Sequence, residues 1–368
     1  VPRARFGSEA WNLEPTGEST LIAKLRANGV PLKEFAEVGP YRGAVTGYNK
    51  AFVVDTPTRD RLIAEHPSSE TVLKKYLRGQ DIDRWQSEWT GEWMIFARRG
   101  IDIDQYPAIK RHLEQFRSQL EPKPRDYTGT DWPGRKPGTY RWFELQDPVE
   151  YWREFEKPKV MFQDIVWNQR FTLDTVGMYG NNTVYFLPTA DLWLMAVLNA
   201  PVAWWFAWRT AQHAKDEALR FFGDYMEMFP IPRPTDEVRA RAEELVKRLI
   251  DLKGGRTDGL RALLDWLQSE MKVGKVSQKL EGLIGLTAEE LAAEVKKQRP
   301  GKQGLSVAEL KRLKDEYAAN VVPLQALDRE ADRLERELSD LVNAAFGLTP
   351  AEVQLMWQTA PPRMPFVL

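Results

Sequence analysis

The spacing of apolar residues changes period several times along the chain, and each change marks an element. Residues 19–28 read as a short helix, with Ser19 or Thr20 as N-cap and Gly29 as a left-handed stop. Val45, Tyr48, Ala51, Phe52, Val53 and Val54, interrupted by Gly47, predict two short strands around a tight turn over Ala44–Asp55. A helix over Thr58–Glu65 follows, and Glu70–Tyr76 leads into Leu77–Asp81. Gly91–Arg98 is rich in aromatic and β-favouring side chains and predicts a strand. Ile109, Leu113, Phe116 and Leu120 place one apolar face on a helix over Ala108–Leu120, which Pro122 and Pro124 end. From Pro122 to Gly138 the Pro and Gly residues are too dense for regular structure, and a loop of that length in a compact domain is usually functional or disordered. Strands return at Lys159–Trp167, Arg170–Thr175 and Thr183–Leu187. A helical run over Asp191–Phe222 carries a joint at Pro201, a favoured first helical residue.

The C-terminal third has a different rhythm. Val238, Ala242, Leu245, Leu249 and Leu252 form a heptad seam, and Leu324, Leu327, Ala331, Leu334, Leu338, Leu341 and Ala345 form another. Helices over 236–253 and 324–346 would be roughly 27 and 35 Å long and could pair antiparallel. Leu260–Met271 and Ser306–Asn320 predict further helical pieces between them. The expected organisation is an N-terminal linker and helix (1–40), an α+β (mixed α/β) domain (41–234), and a helical, coiled-coil-like spacer (235–368).

Composition narrows the function. The 368 residues contain no Cys, which excludes disulfides, thiolate metal sites and a Cys nucleophile. His66, His112 and His213 stand too far apart for a short-spaced zinc pattern. The longest apolar stretch, Leu192–Trp208, is broken by Asn199 and Pro201 before it reaches the length of a bilayer span, so no membrane partner and a cytoplasmic, prokaryotic location are expected. The chain starts at Val1 without Met, as a piece of a larger protein would.

A formal net charge of −1 argues against a nucleic-acid partner, but the charge is unevenly placed. Between Arg117 and Trp142, Arg117, Lys123, Arg125, Arg135, Lys136 and Arg141 outnumber Glu121, Asp126 and Asp131 and alternate with Tyr127, Trp132, Tyr140 and Trp142. Cations for phosphates beside planar rings are what a nucleic-acid surface requires, although a solvated loop pinned by its aromatics would look the same. Trp167, Asn168, Gln169 and Arg170 fall on a turn between strands, and Asn, Gln and Arg make bidentate contacts to base edges. Asn181 and Asn182 are a weaker candidate pair. No phosphate-binding Gly-rich loop, nucleophile elbow, zinc-protease helix or Asn-Pro-Pro-aromatic tetrapeptide is present, so no catalytic motif lies in this stretch. Glu154, Glu156 and Asp164 raise a hydrolase reading, which Pro158 weakens by spoiling the usual strand-borne acidic pair.

Several segments together resemble the TaqI-like C-terminal specificity domain of type IIG restriction–modification enzymes and related adenine methyltransferases of phage defence. They are Gly43–Asp55, Lys75–Trp85, Tyr106–Leu113, Trp142–Gln146, Phe155–Val160, Leu198–Pro201 and Phe229–Pro232, with Phe346–Thr349 and Pro361–Pro365 near the end. The resemblance implies a double-stranded DNA recognition module that docks in the major groove and presents an adenine to a methyltransferase domain. That domain lies N-terminal in the family, with or without a nuclease. No cofactor is expected here; S-adenosylmethionine, and Mg as a further candidate, belong to the parent enzyme. The candidate DNA contacts are Lys123, Arg125, Tyr127, Trp132, Arg135, Lys136, Arg141, Trp167, Asn168, Gln169, Arg170, Asn181 and Asn182, with Thr46, Asn49 and Lys50 from the first motif. A competing reading takes the heptad stem as a module that recruits a partner protein.

Overall fold

The structure, a computed structural model, describes residues 16–366 and divides them into two units. The first comprises residues 16–235 together with 342–366, and the second is Asp236–Leu341. No described helix is long and apolar enough to cross a membrane.

Two four-stranded sheets organise the first unit. In one, Tyr41–Arg42, Val184–Leu187, Lys159–Gln163 and Phe171–Asp174 lie side by side, all antiparallel, with Phe186 opposite Met161. In the other, Val53–Asp55, Glu92–Ile95 and Leu73–Leu77 are antiparallel and Tyr179–Gly180 joins in parallel. One apolar core serves both: the Phe155 ring stacks on Tyr179 of the second sheet at 4.7 Å and meets Phe186 of the first at 4.6 Å. Within this core Lys159 is fully buried, and its ammonium is bonded to the buried Asp174 carboxylate. Burial pushes the Lys159 pKa down while Asp174 opposes that shift. Asp174 also accepts from the Val176 and Met178 amides, so the pair fixes the turn that leads to Tyr179.

Several local expectations need correction. Ala44–Asp55 is not a pair of strands: Gly47 turns the chain at φ +79°, Asn49–Phe52 is a short helix, and only Val53–Asp55 is extended. Tyr48, Ala51 and Phe52 are as well spaced for a helical turn as for a strand, and full burial of Ala51 and Phe52 decides for the helix. The helix expected over Ala108–Leu120 breaks into Pro107–Glu114 and Arg117–Leu120, because the Phe116 ring turns onto His112 and Tyr48. Gly29 begins a strand, Gly29–Pro31, that pairs with Pro230–Pro232; a Cβ there would meet the Pro230 side chain at 2.7 Å, so close approach rather than a left-handed turn requires glycine.

The expected boundaries shift for the same reason. Within the expected N-terminal linker and helix (1–40), the helix is present as Thr16–Asn28 and, with the strand that follows it, is part of the first unit rather than a linker; residues 1–15 lie outside the described residues. Nor does 235–368 form one helical region. The chain after Val342 packs with the first unit: Asn28 donates to the Phe346 carbonyl at 2.7 Å, Lys24 pairs with Glu352 at 2.6 Å, and the Trp204 indole donates to the Pro362 carbonyl at 2.9 Å.

The second unit is built on two long helices. Asp236–Ser269 runs unbroken through Gly254, Gly255 and Gly259, where two separate helices were expected. A Cβ at Gly259 would stand 2.7 Å from a Leu324 methyl, so this glycine permits close approach of the second helix rather than ending the first. That second helix is continuous from Val307 to Ala345 through a π-helical turn, Tyr317–Val321, beside Pro323, which lacks an amide hydrogen. The two run antiparallel, one of the pairings the heptads allow: Arg241 pairs with Glu337, Arg248 with Glu330 and Arg256 with Asp328. A small helical cap closes one end around Leu263, Leu283, Val295 and Leu313. There the buried Arg299 guanidinium bonds Glu309 at 2.6 Å and, with the Ser306 amide, holds its carboxyl down at about 2.

Candidate nucleic-acid interface

The loop between Glu121 and Trp142 is irregular but not loose. Arg135 lies inside it, 4% exposed, with all five guanidinium hydrogens directed at main-chain carbonyls. Its Nε donates to Leu120 at 2.8 Å, one terminal nitrogen to Thr46 at 2.9 Å and Glu144 at 2.7 Å, the other to Arg141 at 3.1 Å and Trp142 at 2.9 Å. Tyr140 covers it at 4.4 Å, and burial lowers its pKa to about 10, which leaves it cationic at neutral pH. Gly47 makes room for this side chain: a Cβ there would stand 2.7 Å from the Arg135 Cδ. The buried Glu144 carboxylate adds two ties, accepting from the Gly100 and Arg141 amides. Arg135 is therefore a strut and not a DNA contact as its sequence position suggested.

That strut brings two candidate segments together, since Thr46 and the loop share its guanidinium. Thr46 is itself buried, donates to the Asn49 side chain at 2.6 Å and accepts from the Tyr48 amide, so it shapes the turn and exposes no group to a ligand. Asn49 and Lys50 beside it are exposed. Along the loop, Arg125, Lys136 and Arg141 are exposed, whereas Lys123 is half-buried over the Tyr127 ring with its ammonium on the Gly129 carbonyl. Tyr127 and Trp132 meet edge to face at 5.3 Å, and the Tyr127 hydroxyl bonds Asp131, which holds that carboxyl below its ordinary range. With Arg135 withdrawn, the accessible positive excess is smaller than the sequence count implies. Arg99, which the sequence reading missed, adds to this face: it bonds the Thr139 hydroxyl and the Gln146 carbonyl.

The second candidate turn is anchored elsewhere. Gln169 is 4% exposed and donates to the Leu198 carbonyl, so it is withdrawn from base readout; its position after Asn168 turns it inward. Asn199, fully buried, binds both the amide and the carbonyl of Phe171, fixing the start of the next strand. Trp167 remains 44% exposed, Asn168 accepts from Arg170 at 2.7 Å, and Arg170 lies 3.8 Å from Asp83. Asn181 accepts from the Thr183 amide and hydroxyl and the Asn182 carbonyl accepts from Arg42, so this pair shapes a turn. Gly43 belongs to the same crossing, for a Cβ there would stand 1.9 Å from the Asn181 carbonyl oxygen.

The acidic residues that raised a hydrolase reading do not converge. Glu154 is bonded to Lys157, Glu156 to Lys74 and Tyr179, and Asp164 is half-buried in strand pairing with its pKa raised by burial. Among the described residues no group of His, Asp or Glu is placed to hold a metal ion.

The first unit is thus a mixed α/β domain that offers a fixed cationic and aromatic loop. Residues 74–231 match the family described as the TaqI-like C-terminal specificity domain. Residues 235–342, nearly the span of the second unit, match a family described as a domain of unknown function (DUF8810). Over 251 residues the chain is 23% identical to the type II methyltransferase M.BstVI of Geobacillus stearothermophilus, covering 65% of this chain and 41% of that protein. The chain therefore spans less than half of that relative. Two solved structures are similar to it: the type IIL restriction–modification enzyme MmeI in complex with DNA (TM-score 0.46, 13% identity, 88% of this chain and 35% of that one) and the type IIG restriction endonuclease BpuSI (TM-score 0.37, 12% identity, 92% and 34%).

Proposed function

We propose that this chain is the double-stranded DNA recognition module of a type II restriction–modification enzyme that methylates adenine. The observation that carries the reading is the Arg135-braced loop, with Arg125, Lys136 and Arg141 exposed on a fixed backbone inside a TaqI-like specificity domain. Fixed cations position a duplex by its phosphates, and polar side chains on adjoining turns read base edges. Trp167, Asn168 and Arg170 on one turn and Asn49 and Lys50 on the other are the accessible candidates for readout. The catalytic partner is a methyltransferase domain N-terminal to this module in the parent, with S-adenosylmethionine bound there and Mg needed only if a nuclease is joined to it. A cytoplasmic location follows from a chromosomal or phage DNA substrate. Mobility-shift titration of a mixed-sequence duplex tests the reading. Binding at low salt that weakens at least tenfold in the R125A/K136A/R141A variant supports it, and no shift by the wild-type chain at any concentration contradicts it.

A further inference from the structure

A second cationic feature lies next to the loop and outside every candidate considered above. Arg98 immediately precedes Arg99 and projects to a different neighbour, the Trp152 indole, with its guanidinium 5.3 Å from the ring centre. Arg153 lies over the same ring at 4.7 Å. Both arginines are exposed, and among the described residues neither makes an ion pair or a side-chain hydrogen bond. Of the carboxylates that flank Arg153 in sequence, Glu154 is taken by Lys157 at 2.8 Å and Glu156 by Lys74 at 3.1 Å, while the exposed Glu150 makes no ion pair with either arginine. A cavity of about 160 Å³ opens here, lined by Lys74, Phe96, Arg98, Tyr106, Trp152 and Tyr179.

Both guanidiniums lie within cation–π reach of one indole, and neither is neutralised by a carboxylate among the described residues. A phosphate oxygen reaching either guanidinium supplies the missing counter-charge. Arginine's planar fork favours a phosphate or carboxylate oxygen pair, and the aromatic wall beside it suits a sugar or base rather than a bare ion. We propose that Arg98 and Arg153, on either flank of the Trp152 indole, hold backbone phosphodiester oxygens of the bound duplex, extending the contact track of the braced loop through the adjacent Arg99. This inference rests on the DNA-recognition reading. It adds phosphate contacts that carry no sequence information, so they act on every duplex alike.

The test is the salt dependence of binding of the whole 368-residue chain to a fluorescein-labelled mixed-sequence duplex. Each phosphate contact contributes about 0.9 to the slope of log affinity against log salt. The R98Q/R153Q variant is expected to lower the slope by about two with an unchanged melting temperature, and R98K/R153K to retain it. Inorganic phosphate at matched ionic strength should compete with the duplex less in R98Q/R153Q than in the wild-type chain, the loop cations remaining in both. Where the double variant melts early, R153Q alone carries the test, with a slope lowered by about one. An unchanged slope in a folded R98Q/R153Q chain, with wild-type binding intact, overturns the phosphate site and leaves DNA recognition standing. Absence of any duplex binding by the wild-type chain overturns both.

Discussion

Arg135 shows how far a residue's role depends on what surrounds it. In sequence it sits in a basic, aromatic stretch beside Lys136, and the two look equivalent. In the fold one is a five-way clasp on main-chain carbonyls and the other a solvated cation. Replacing Arg135 with Ala leaves buried carbonyls unpaired and is expected to lower unfolding free energy by on the order of 3 kcal/mol, while Lys136→Ala should stay within about 0.5 kcal/mol. Urea denaturation of both variants checks this; equal effects would contradict the assignment. Gln169 and Thr46 were misread for the same reason, because a polar side chain gives no sign in sequence of whether it faces main chain or solvent. What was legible was the loop itself, from its proline and glycine density, and the exposed cations that it carries. Glu309 gives a second prediction, on pH. Its carboxyl, held at about 2 by Arg299 and Ser306 against an ordinary 4.5, contributes stability that is fully present above pH 4.5 and is lost as pH falls towards 2. The stability difference between wild type and Glu309→Gln should therefore vanish across that window in acid denaturation, and a difference that persists undiminished at pH 2 would contradict it.

Among the elements, the heptad helices were the most legible. Their period is a property of consecutive residues; the antiparallel direction, compatible with the heptads but not set by them, is shown by the Arg–acid contacts. The glycines within the first of them were not legible, since Gly255 and Gly259 read as a break and only the position of the second helix explains them. They should also respond differently to alanine. At Gly255 a new Cβ finds its nearest neighbour, Leu327, at an ordinary 3.7 Å, so Gly255→Ala is expected to stabilise by about 0.5–1 kcal/mol through helix propensity. At Gly259 the Leu324 methyl stands 2.7 Å away and must move, so Gly259→Ala should gain less than Gly255→Ala or lose stability. Thermal denaturation of the two variants compares them; an equal or larger gain at Gly259 would show that the helices do not approach as described. The short elements around Gly47 and Phe116 were misjudged because spacing over four or five residues suits a turn of helix and a strand alike, and burial decides between them.

For the molecule as a whole, near-neutral charge conceals how the charges are placed. Acids and bases cancel along the paired helices of the second unit, where they face one another; the first unit is balanced in sum too, but keeps Arg125, Lys136, Arg141, Arg98 and Arg153 exposed. The specificity-domain match stops at residue 231 and the second family begins at 235, next to the division between the units at residue 235. The sequence motifs that carried the family resemblance mark this framework: Gly43 and Gly47 permit close backbone crossings, Lys159 clasps Asp174, and Asn199 holds Phe171. Under the proposed function the bases would be read by the accessible turns, which no scaffold motif encodes. Selection from a pool of randomised duplexes by the 368-residue chain tests recognition itself. Enrichment of one defined sequence containing an adenine, lost when Asn168 and Arg170 are both changed to Ala, is the result this account predicts. A pool that remains random after repeated rounds would contradict it.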